Sequence, residues 1–450
     1  RAGEIAAAEF PELAVSLSAQ VVAEIGEYPR TVTTCANSYV KPLMARYLGR
    51  LEAELAARGF HGKLRLIHSA GGLVSPDVAR AFPIRLLESG PAGGGLAAAL
   101  FGETAGKDRL IAFDMGGTTA KACIIENGTV DITAELEAGR VSRFRKGSGL
   151  PIRAPVLDMI EIGAGGGSIA GIDAVGLLKV GPQSAGSAPG PACYGLGGTQ
   201  PTVTDANVIL GYYDPNFFLG GRMKLDLAAA EAAMDRLAAS LGLSRMQTAR
   251  GVHRVVVENM AAATRVHLVE KGKDPRDQFM VGFGGAGPAH AAEVARVLGV
   301  REVIVPPASG AASALGFLTA PLSFEISRSM PVELTEGFDA AAIERLLGEI
   351  AAEATTLLNE AGVAAGDITS KRFSEMRLVG QMHEITVPLP DDLNGGDAFA
   401  DIRAAFIAAY EARYASVRPD EPMEAVSFRV LCSGPRPGIS LNAVNGSTGT

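Results

Sequence analysis

The stretch Leu110–Ala122, LIAFDMGGTTAKA, decides the predicted fold. It opens with an apolar run typical of a buried strand, and the run ends at Asp114. A second apolar run, KACII, begins at Lys121. The turn between the two runs contains Gly116, Gly117, Thr118 and Thr119. The pattern therefore predicts two strands of one hairpin, with the glycines and threonines at its tip.

The residues of this turn are suited to binding a phosphate group. Glycines add no side-chain bulk and accept positive φ, so a ligand can approach the backbone closely. Threonine hydroxyls and exposed backbone amides donate hydrogen bonds to phosphate oxygens. Asp114, at the end of the strand, is placed to hold a hydrated Mg²⁺ that bridges to phosphates. Taken alone, the same turn is equally well interpreted as a glycine hairpin that binds no ligand.

A second glycine loop follows the apolar run that ends at Ile162. Its candidate anion-binding residues are Gly165, Gly166, Gly167 and Ser168. The alternative interpretation of this loop is a flexible turn.

A third glycine loop follows a strand predicted over residues 279–283, FMVGF. The loop consists of Gly284, Gly285, Ala286 and Gly287. Pro288 then suits the first turn of a helix that we predict to end near Leu298. A strand, a glycine turn and a helix N-terminus together form a seat for an anion or a nucleotide. The spacing is not G-x-G-x-x-G, so a Rossmann fingerprint is absent.

Periodic apolar residues predict the main helices of the chain. The predicted ranges are 8–26, 40–58, 227–241 with Asp226 as N-cap, and 248–271. His253 and His267 lie on the last of these, and we interpret each as a packed or half-exposed histidine rather than a metal ligand. Small residues over 92–100 and 309–316 predict helices that let another backbone come close. The loop-rich stretch 181–204 is predicted to be ordered near the site.

Composition and charge exclude several classes of protein. The chain has 450 residues, of which 47% are hydrophobic and 20% are charged, so it can bury a core. Its formal net charge of −8 argues against a nucleic-acid partner, which would require a basic face. No apolar run approaches the length that spans a bilayer. The 4 cysteines are scattered without a C-x-x-C pair, which indicates neither a zinc site nor disulfides and favours a reducing cytoplasm.

Five motifs stand in a fixed order along the chain. They are FDMGGTTAK, IGAGGGSIA, VGPQSAGSAPGPACYGLGGTQPTVTDAN, GFGGAGPAHAAEVA and VPPASGAASALGF. Together they closely resemble the hydantoinase A / 5-oxoprolinase family, which includes subunits of acetone and acetophenone carboxylases. The resemblance implies an α/β fold with an actin-like ATPase core, similar to the RNase-H-like halves of sugar kinases and chaperone ATPases. It also implies three divisions of the chain: the remainder of a first actin-like half over 1–90, a second half over 91–320, and an α+β domain over 321–450.

The resemblance also implies a reaction and a set of site residues. Asp114 would be the catalytic and Mg²⁺-binding residue, the turn Gly116–Thr119 the second phosphate loop, and Gly284–Gly287 the adenosine loop. The glycine loop Gly165–Ser168 joins them as a candidate cofactor-binding segment. The family implies an ATP-dependent cyclic amide hydrolase subunit that phosphorylates the substrate carbonyl and works with a B-type subunit in a hetero-oligomer. The alternatives are an ATP-dependent ketone carboxylase subunit and a nucleotide-binding module without catalysis of its own.

One departure from the family concerns nucleotide affinity. Family members carry a further Asp-x-Gly-Gly-Thr loop in an N-terminal region, and no such loop precedes Asp114 here. The chain also begins at Arg1, already in a helical pattern, so we expect a natural N-terminal portion to be missing. Losing several charge-assisted hydrogen bonds weakens binding by orders of magnitude. We therefore expect weak ATP binding by these 450 residues alone in a calorimetric titration, and tighter binding when that region is restored.

Overall fold

The structure is a computed structural model that describes residues 1–139, 147–414 and 421–439. Residues 415–420 and 440–450 of the predicted C-terminal domain lie outside the described residues. The helices are α1 Ala2–Glu9, α2 Ser18–Val21, α3 Glu27–Ala57, α4 Pro76–Ala81, α5 Ser89–Thr104, α6 Val203–Ile209, α7 Leu227–Leu241, α8 Arg245–Glu270, α9 Gly287–Leu298, α10 Ala312–Thr319, α11 Ala340–Ala361 and α12 Ala398–Tyr414.

The strands form one mixed sheet, one four-stranded antiparallel sheet and three two-stranded ribbons. They are β1 Leu66–Ile67, β2 Leu73–Val74, β3 Arg109–Met115, β4 Ala120–Glu126, β5 Thr129–Val130, β6 Ile132–Ala138, β7 Leu150–Leu157, β8 Met159–Ile162, β9 Ser168–Ile172, β10 Leu178–Ser184, β11 Phe279–Phe283, β12 Val303–Ile304, β13 Ser323–Leu334, β14 Thr369–Leu378, β15 Ile385–Pro388 and β16 Met423–Ser433.

The chain divides into two compact units. The first unit holds the described residues of 1–92, 132–157 and 317–440, and the second holds 93–131 and 158–316. The first unit thus combines residues from both ends of the chain. The assignment of 1–90, 91–320 and 321–450 to two actin-like halves and a C-terminal domain stays a prediction.

The second unit is built on the mixed sheet that contains the opening stretch. Its strand order is β12-β11-β3-β4-β5, and β8 also pairs with β4. Strand β11 runs parallel to β3, whereas β3 and β4 are antiparallel and place Asp114 opposite Lys121. The predicted strand–turn–strand arrangement is therefore confirmed. The core of this unit is apolar and includes Phe113, Met115 and Met280, each 0% exposed.

Two helices rich in small residues cross within the second unit with their backbones in contact. A Cβ added to Gly316 of α10 would collide with the carbonyl oxygen of Gly93 and lie 2.9 Å from the amide nitrogen of Ala97. Both partners belong to α5. The close backbone approach predicted from the small residues is confirmed, because only glycine fits at this crossing.

The first unit is built on the four-stranded antiparallel sheet, in the order β13-β16-β14-β15. Helix α11 packs on this sheet through buried apolar residues such as Ile343 and Leu347. Strand β2 is attached nearby, because the amide of Leu73 donates to the carbonyl of Pro321 at 2.9 Å. The sheet and its helix therefore form a core separate from that of the glycine loops.

The helix predictions are confirmed in part. Asp226 caps α7 by accepting a hydrogen bond from the amide of Ala229 at 2.9 Å, and Pro288 lies in the first turn of α9. The single helix predicted over 8–26 is wrong, because only the short α1 and α2 form there. Pro11 accounts for the break, since a proline disfavours helical geometry at the residue before it, and α1 ends at Glu9. Within the described ranges, no helix is long and apolar enough to cross a membrane.

Candidate functional site

The three predicted glycine loops meet in the second unit, where β3 and β11 end. The amide of Ala286 donates to the carbonyl of Met115 at 2.9 Å, which joins the third loop to the first. The amide of Gly166 donates to Gly116 at 3.0 Å, and that of Gly167 donates to Gly117 at 2.6 Å. Segments far apart in sequence are thus brought together by backbone hydrogen bonds.

Glycine is required at two of these contacts. A Cβ at Gly165 would lie 2.6 Å from the backbone atoms of Gly117 and Thr118, which is closer than real Cβ atoms come. Gly284 has φ of +88°, and a Cβ there would collide with the carboxylate of Asp114. The absence of side chains therefore lets the loops pack against the tip of the β3–β4 hairpin.

The tip of the hairpin has backbone donors available for a ligand. Gly117 and Thr118 are exposed, and neither amide donates a hydrogen bond to any residue that the structure describes. Gly285 of the third loop is exposed as well, and it lies just before the N-terminus of the 12-residue helix α9. Free amides and a helix N-terminus both favour a negatively charged group.

The loop Gly165–Ser168 differs from the other two loops. It is buried, and its amides are already bonded within the protein. Gly165 donates to the Ser168 hydroxyl at 2.9 Å, Ser168 donates back to the Gly165 carbonyl at 3.0 Å, and the other two amides bind the hairpin tip. None of these four amides is free for a ligand while the bonds persist.

Asp114 is a half-buried carboxylate at the end of β3. It makes no hydrogen bond or ion pair with the residues described here. Burial raises the pKa of Asp114, and the charge of Lys121 on the neighbouring strand opposes that shift. No group of three or more metal-binding side chains occurs in the described ranges. An unpaired carboxylate beside free amides fits Mg²⁺, which is typically held by one or two carboxylates with water and phosphate as its other ligands.

The long loop that precedes α6 lies against this site, as its position in the sequence predicted. The amide of Ala185 donates to the carbonyl of Gly167 at 2.9 Å. The loop is held by the buried carboxylate of Asp205, which accepts hydrogen bonds from the amides of Cys193 at 2.7 Å and Thr202 at 2.8 Å. The loop therefore has a defined path beside the glycine residues.

A buried polar cluster behind the loops was not predicted. Asn207 on α6 bridges two histidines: its Oδ1 lies 3.0 Å from Nδ1 of His253 on α8, and its Nδ2 lies 2.9 Å from Nε2 of His290 on α9. The two imidazoles stack with centroids 4.6 Å apart. Since an amide nitrogen only donates, His290 accepts at Nε2 and carries its proton on Nδ1. His253 was correctly interpreted as a packed histidine, but no local signal indicated its partners.

Both histidines of the cluster are neutral near pH 7. Burial lowers the pKa of His290 to about 3, with a further contribution from His253. Burial also lowers the pKa of His253. A charge on either ring would be unfavourable in this apolar setting, so the cluster is maintained only while both rings stay unprotonated.

Acid is therefore expected to destabilise the second unit. Below pH 6.5 the unfolded chain binds a proton at His290, whereas the folded chain does not until about pH 3. The unfolded state then binds more protons, so the free energy of unfolding falls by about 1.4 kcal/mol per pH unit for this residue as pH decreases from 6.5. The apparent unfolding temperature measured from pH 7.5 to 5 should show this loss.

A variant pair isolates the contribution of the cluster. His290→Gln removes the titrating group, so the number of protons taken up on unfolding in acid should fall by about one. The free energy of unfolding should then depend less steeply on pH. His61→Gln changes an exposed histidine and serves as the control. An unchanged slope in His290→Gln would contradict the assignment.

Comparison with protein-family models places the chain. The family model described as hydantoinase/oxoprolinase matches residues 30–326, a range that contains all three glycine loops. The chain belongs to the hydantoinase/oxoprolinase family. The resemblance seen in the five motifs is thereby confirmed.

Three relatives show the range of the family. The caprolactamase subunit alpha of Pseudomonas jessenii is 33% identical, over 95% of this chain and 61% of its own length. The acetophenone carboxylase gamma subunit of Aromatoleum aromaticum is 37% identical over 70% of this chain and 42% of its own. The 5-oxoprolinase 1 of Arabidopsis thaliana is 31% identical over 89% of this chain and 32% of its own length. The chain therefore spans less than two thirds of these relatives.

Two solved structures share the fold. The crystal structure of the ATP-dependent caprolactamase from Pseudomonas jessenii superposes with a TM-score of 0.82 at 32% identity, covering 98% of this chain and 63% of that one. A nucleotide-free structure of acetone carboxylase superposes with a TM-score of 0.72 at 26% identity, covering 93% of this chain and 59% of that one. The chain thus has the α/β fold of these enzymes.

Proposed function

We propose that the second unit binds the phosphates of ATP and that the chain is part of an ATP-dependent cyclic amide hydrolase subunit with an actin-like core. The observation that carries this proposal is the unpaired carboxylate of Asp114 beside the free amides of Gly117 and Thr118. A carboxylate can hold a divalent cation and free backbone amides can hold phosphate oxygens, so the two together suit a Mg²⁺-phosphate pair. The ATP dependence of the Pseudomonas jessenii caprolactamase, which shares this fold, supports the proposal.

The three loops take different roles in this proposal. The turn Gly116–Thr119 donates to phosphate, and Gly284–Gly287 places the N-terminus of α9 towards the nucleotide. The loop Gly165–Ser168, whose amides already donate within the protein, would hold the hairpin tip in place by hydrogen bonds. Asp114 would hold Mg²⁺, which supplies charge neutralisation at the transferring phosphate.

The proposed chemistry is activation of an unreactive amide. Transfer of the terminal phosphoryl group to the carbonyl oxygen of the ring forms an O–P bond and releases ADP. Water then adds to the activated amide carbon, and the C–N bond breaks with transfer of a proton to the ring nitrogen, which leaves an open-chain acyl phosphate. A second water hydrolyses the acyl phosphate to a carboxylate and inorganic phosphate. The backbone donors of the hairpin tip would stabilise negative charge during the transfer. Caprolactamase and 5-oxoprolinase, by their names, act on cyclic amides, which favours this class of substrate.

A ketone carboxylase subunit is the second candidate. The acetophenone carboxylase gamma subunit is 37% identical, a higher value than for the two amide-hydrolysing relatives. A nucleotide-binding module without catalysis is the third. For the hydrolase and the carboxylase we propose a hetero-oligomer with a B-type subunit, since two of the relatives are named as subunits. We also propose that this assembly lies in the cytoplasm.

Release of ADP separates these candidates. The protein is purified with its associated subunits and assayed with Mg²⁺-ATP and caprolactam, 5-oxoproline or hydantoin. A cyclic amide that stimulates ADP release without bicarbonate supports the hydrolase. Stimulation by acetone or acetophenone that requires bicarbonate supports the carboxylase. Tight nucleotide binding with no stimulation by any of these compounds would indicate the non-catalytic module.

A further inference from the structure

The first unit contains a partly buried arginine whose guanidinium makes no hydrogen bond or ion pair with the described residues. Arg85 follows Phe82 on a short helical turn, and its guanidinium lies 5.1 Å from the centre of the Phe82 ring. No carboxylate of the described residues lies within ion-pair distance of it. Burial lowers the pKa of Arg85, while nearby glutamates oppose that shift. Its guanidinium donors, which no described residue accepts, are therefore left to water or to an anion.

The neighbouring carboxylates are already engaged elsewhere. Glu325 binds Nη1 of Arg429 at 3.1 Å, and Glu375 lies 3.4 Å from Nη2 of the same arginine. Glu24 accepts a hydrogen bond from the hydroxyl of Ser327 at 2.7 Å. These acidic side chains therefore do not neutralise Arg85 directly.

Arg85 faces two adjoining cavities of about 20 and 30 Å³. Both are lined by Arg85, Pro155 and Glu325. A cavity of roughly 10–15 Å³ already holds one water molecule, so each has room for a few atoms at most. This volume is far too small for a nucleotide.

The smaller cavity also carries a neutral hydroxyl donor, Ser323, which is held by His68. The amide of Ala70 donates to Nδ1 of His68 at 3.2 Å, which places the imidazole proton on Nε2. That Nε2 lies 3.4 Å from the hydroxyl oxygen of Ser323. Burial, together with the charge of Arg85, lowers the pKa of His68 to about 4, so the ring is neutral near pH 7. The His68 N–H thus donates to Ser323 and leaves the serine hydroxyl hydrogen available, so a cation and an O–H line one small cavity.

The remaining walls of this cavity are apolar. They are formed by Val74, Val78, Ala79, Phe82, Leu86 and Phe324. Apolar walls strengthen an ionic hydrogen bond because they exclude water from it. A ligand here would therefore combine acceptor oxygens on one side with little or no polar surface elsewhere.

We propose that the Arg85 cavity binds a small monoanion of the carboxylate type. The planar guanidinium offers parallel N–H donors that match the two oxygens of a carboxylate. Ser323 supplies a further O–H donor to the same group, and His68 holds the serine oxygen in place. Bicarbonate and a short organic carboxylate share this chemistry. The inference uses only residues of the first unit and does not depend on the proposed ATP chemistry.

Binding of ¹³C-labelled bicarbonate, acetate and propionate tests the proposal. The protein, with its associated subunits, is titrated with each anion, and saturable line broadening is followed by NMR. Arg85→Gln should weaken anion binding at least tenfold. The affinity of Arg85→Lys should lie between those of Arg85→Gln and the wild type, because lysine keeps the charge but lacks the paired N–H donors of a guanidinium. Arg50→Gln, which changes an arginine with a 76% exposed side chain, should bind like the wild type. Tighter binding of bicarbonate than acetate would identify the inorganic anion, and the reverse order would identify an organic carboxylate.

Two further measurements keep the test decisive if Arg85→Gln folds poorly. Ser323→Ala retains the guanidinium and should weaken anion binding severalfold. Wild-type protein should also gain thermal stability in the presence of the anion, because the ligand binds only the folded state. Absence of saturable binding in the wild type, or equal binding in Arg85→Gln, would show that water fills the cavity and would overturn the proposal.

Discussion

Replacing Asp114 with asparagine is expected to abolish ATP turnover while leaving the protein folded. The change is nearly isosteric and removes only the charge that we propose to hold Mg²⁺. Removal of a single group that stabilises charge in a transition state commonly lowers turnover about 10²- to 10³-fold. The rate of ADP release by the protein with its associated subunits measures the effect. Asp277→Asn, an exposed residue of the same unit, should retain wild-type turnover.

The unfolding temperature separates this role from a structural one. Asp114 accepts no hydrogen bond from the described residues, and burial raises the pKa of its carboxyl group. A half-buried charge without a partner does not stabilise the fold, so Asp114→Asn should unfold at the same temperature as the wild type or higher. If Asp114 instead capped the turn, the variant would be less stable and would still hydrolyse ATP. Wild-type turnover in the folded variant would reject the catalytic role.

Gly284→Ala is expected to cause the second large effect, a loss of nucleotide affinity of about 100-fold, or roughly 2.7 kcal/mol. Its φ of +88° disfavours any side chain, and the added Cβ would collide with the carboxylate of Asp114 and lie 2.5 Å from the carbonyl oxygen of Met115. The third loop must then move away from the end of β3. Calorimetric titration with an ATP analogue and Mg²⁺ measures the loss, and a lower unfolding temperature should accompany it.

Two other glycines provide a graded comparison for this substitution. Gly165→Ala places a Cβ 2.6 Å from the backbone of Gly117 and Thr118, so it should displace the hairpin tip without touching Asp114. Gly171→Ala, in strand β9, meets no atom within 4 Å and has no positive φ, so it should bind nucleotide like the wild type. Equal affinities in all three variants would contradict the proposed role of the loops.

The first two glycine loops show which structural features a local sequence pattern can predict. The strand ends, the turn at Gly116–Thr119 and the helix start at Pro288 were all predicted, because they depend on residues a few positions apart. From the sequence alone, Gly165–Ser168 cannot be distinguished from the other two glycine loops. In the structure, two of its amides donate to the carbonyls of Gly116 and Gly117, and the other two are bonded within the loop. The direction of an amide depends on its partner, and that partner lies in a different segment of the chain.

The family, the mixed strand-and-helix character and the residues of all three loops can be read from the sequence alone, because ordered motifs, apolar periods and caps are local properties. The pairing of polar groups is visible only in the three-dimensional packing. Asn207 meets His290 across 83 positions, and Arg429 binds Glu325 across 104 positions, which leaves Arg85 without an ion-pair partner among the described residues. Pairing of buried polar groups is set by the packing of whole elements against one another, and no pattern within one segment encodes it.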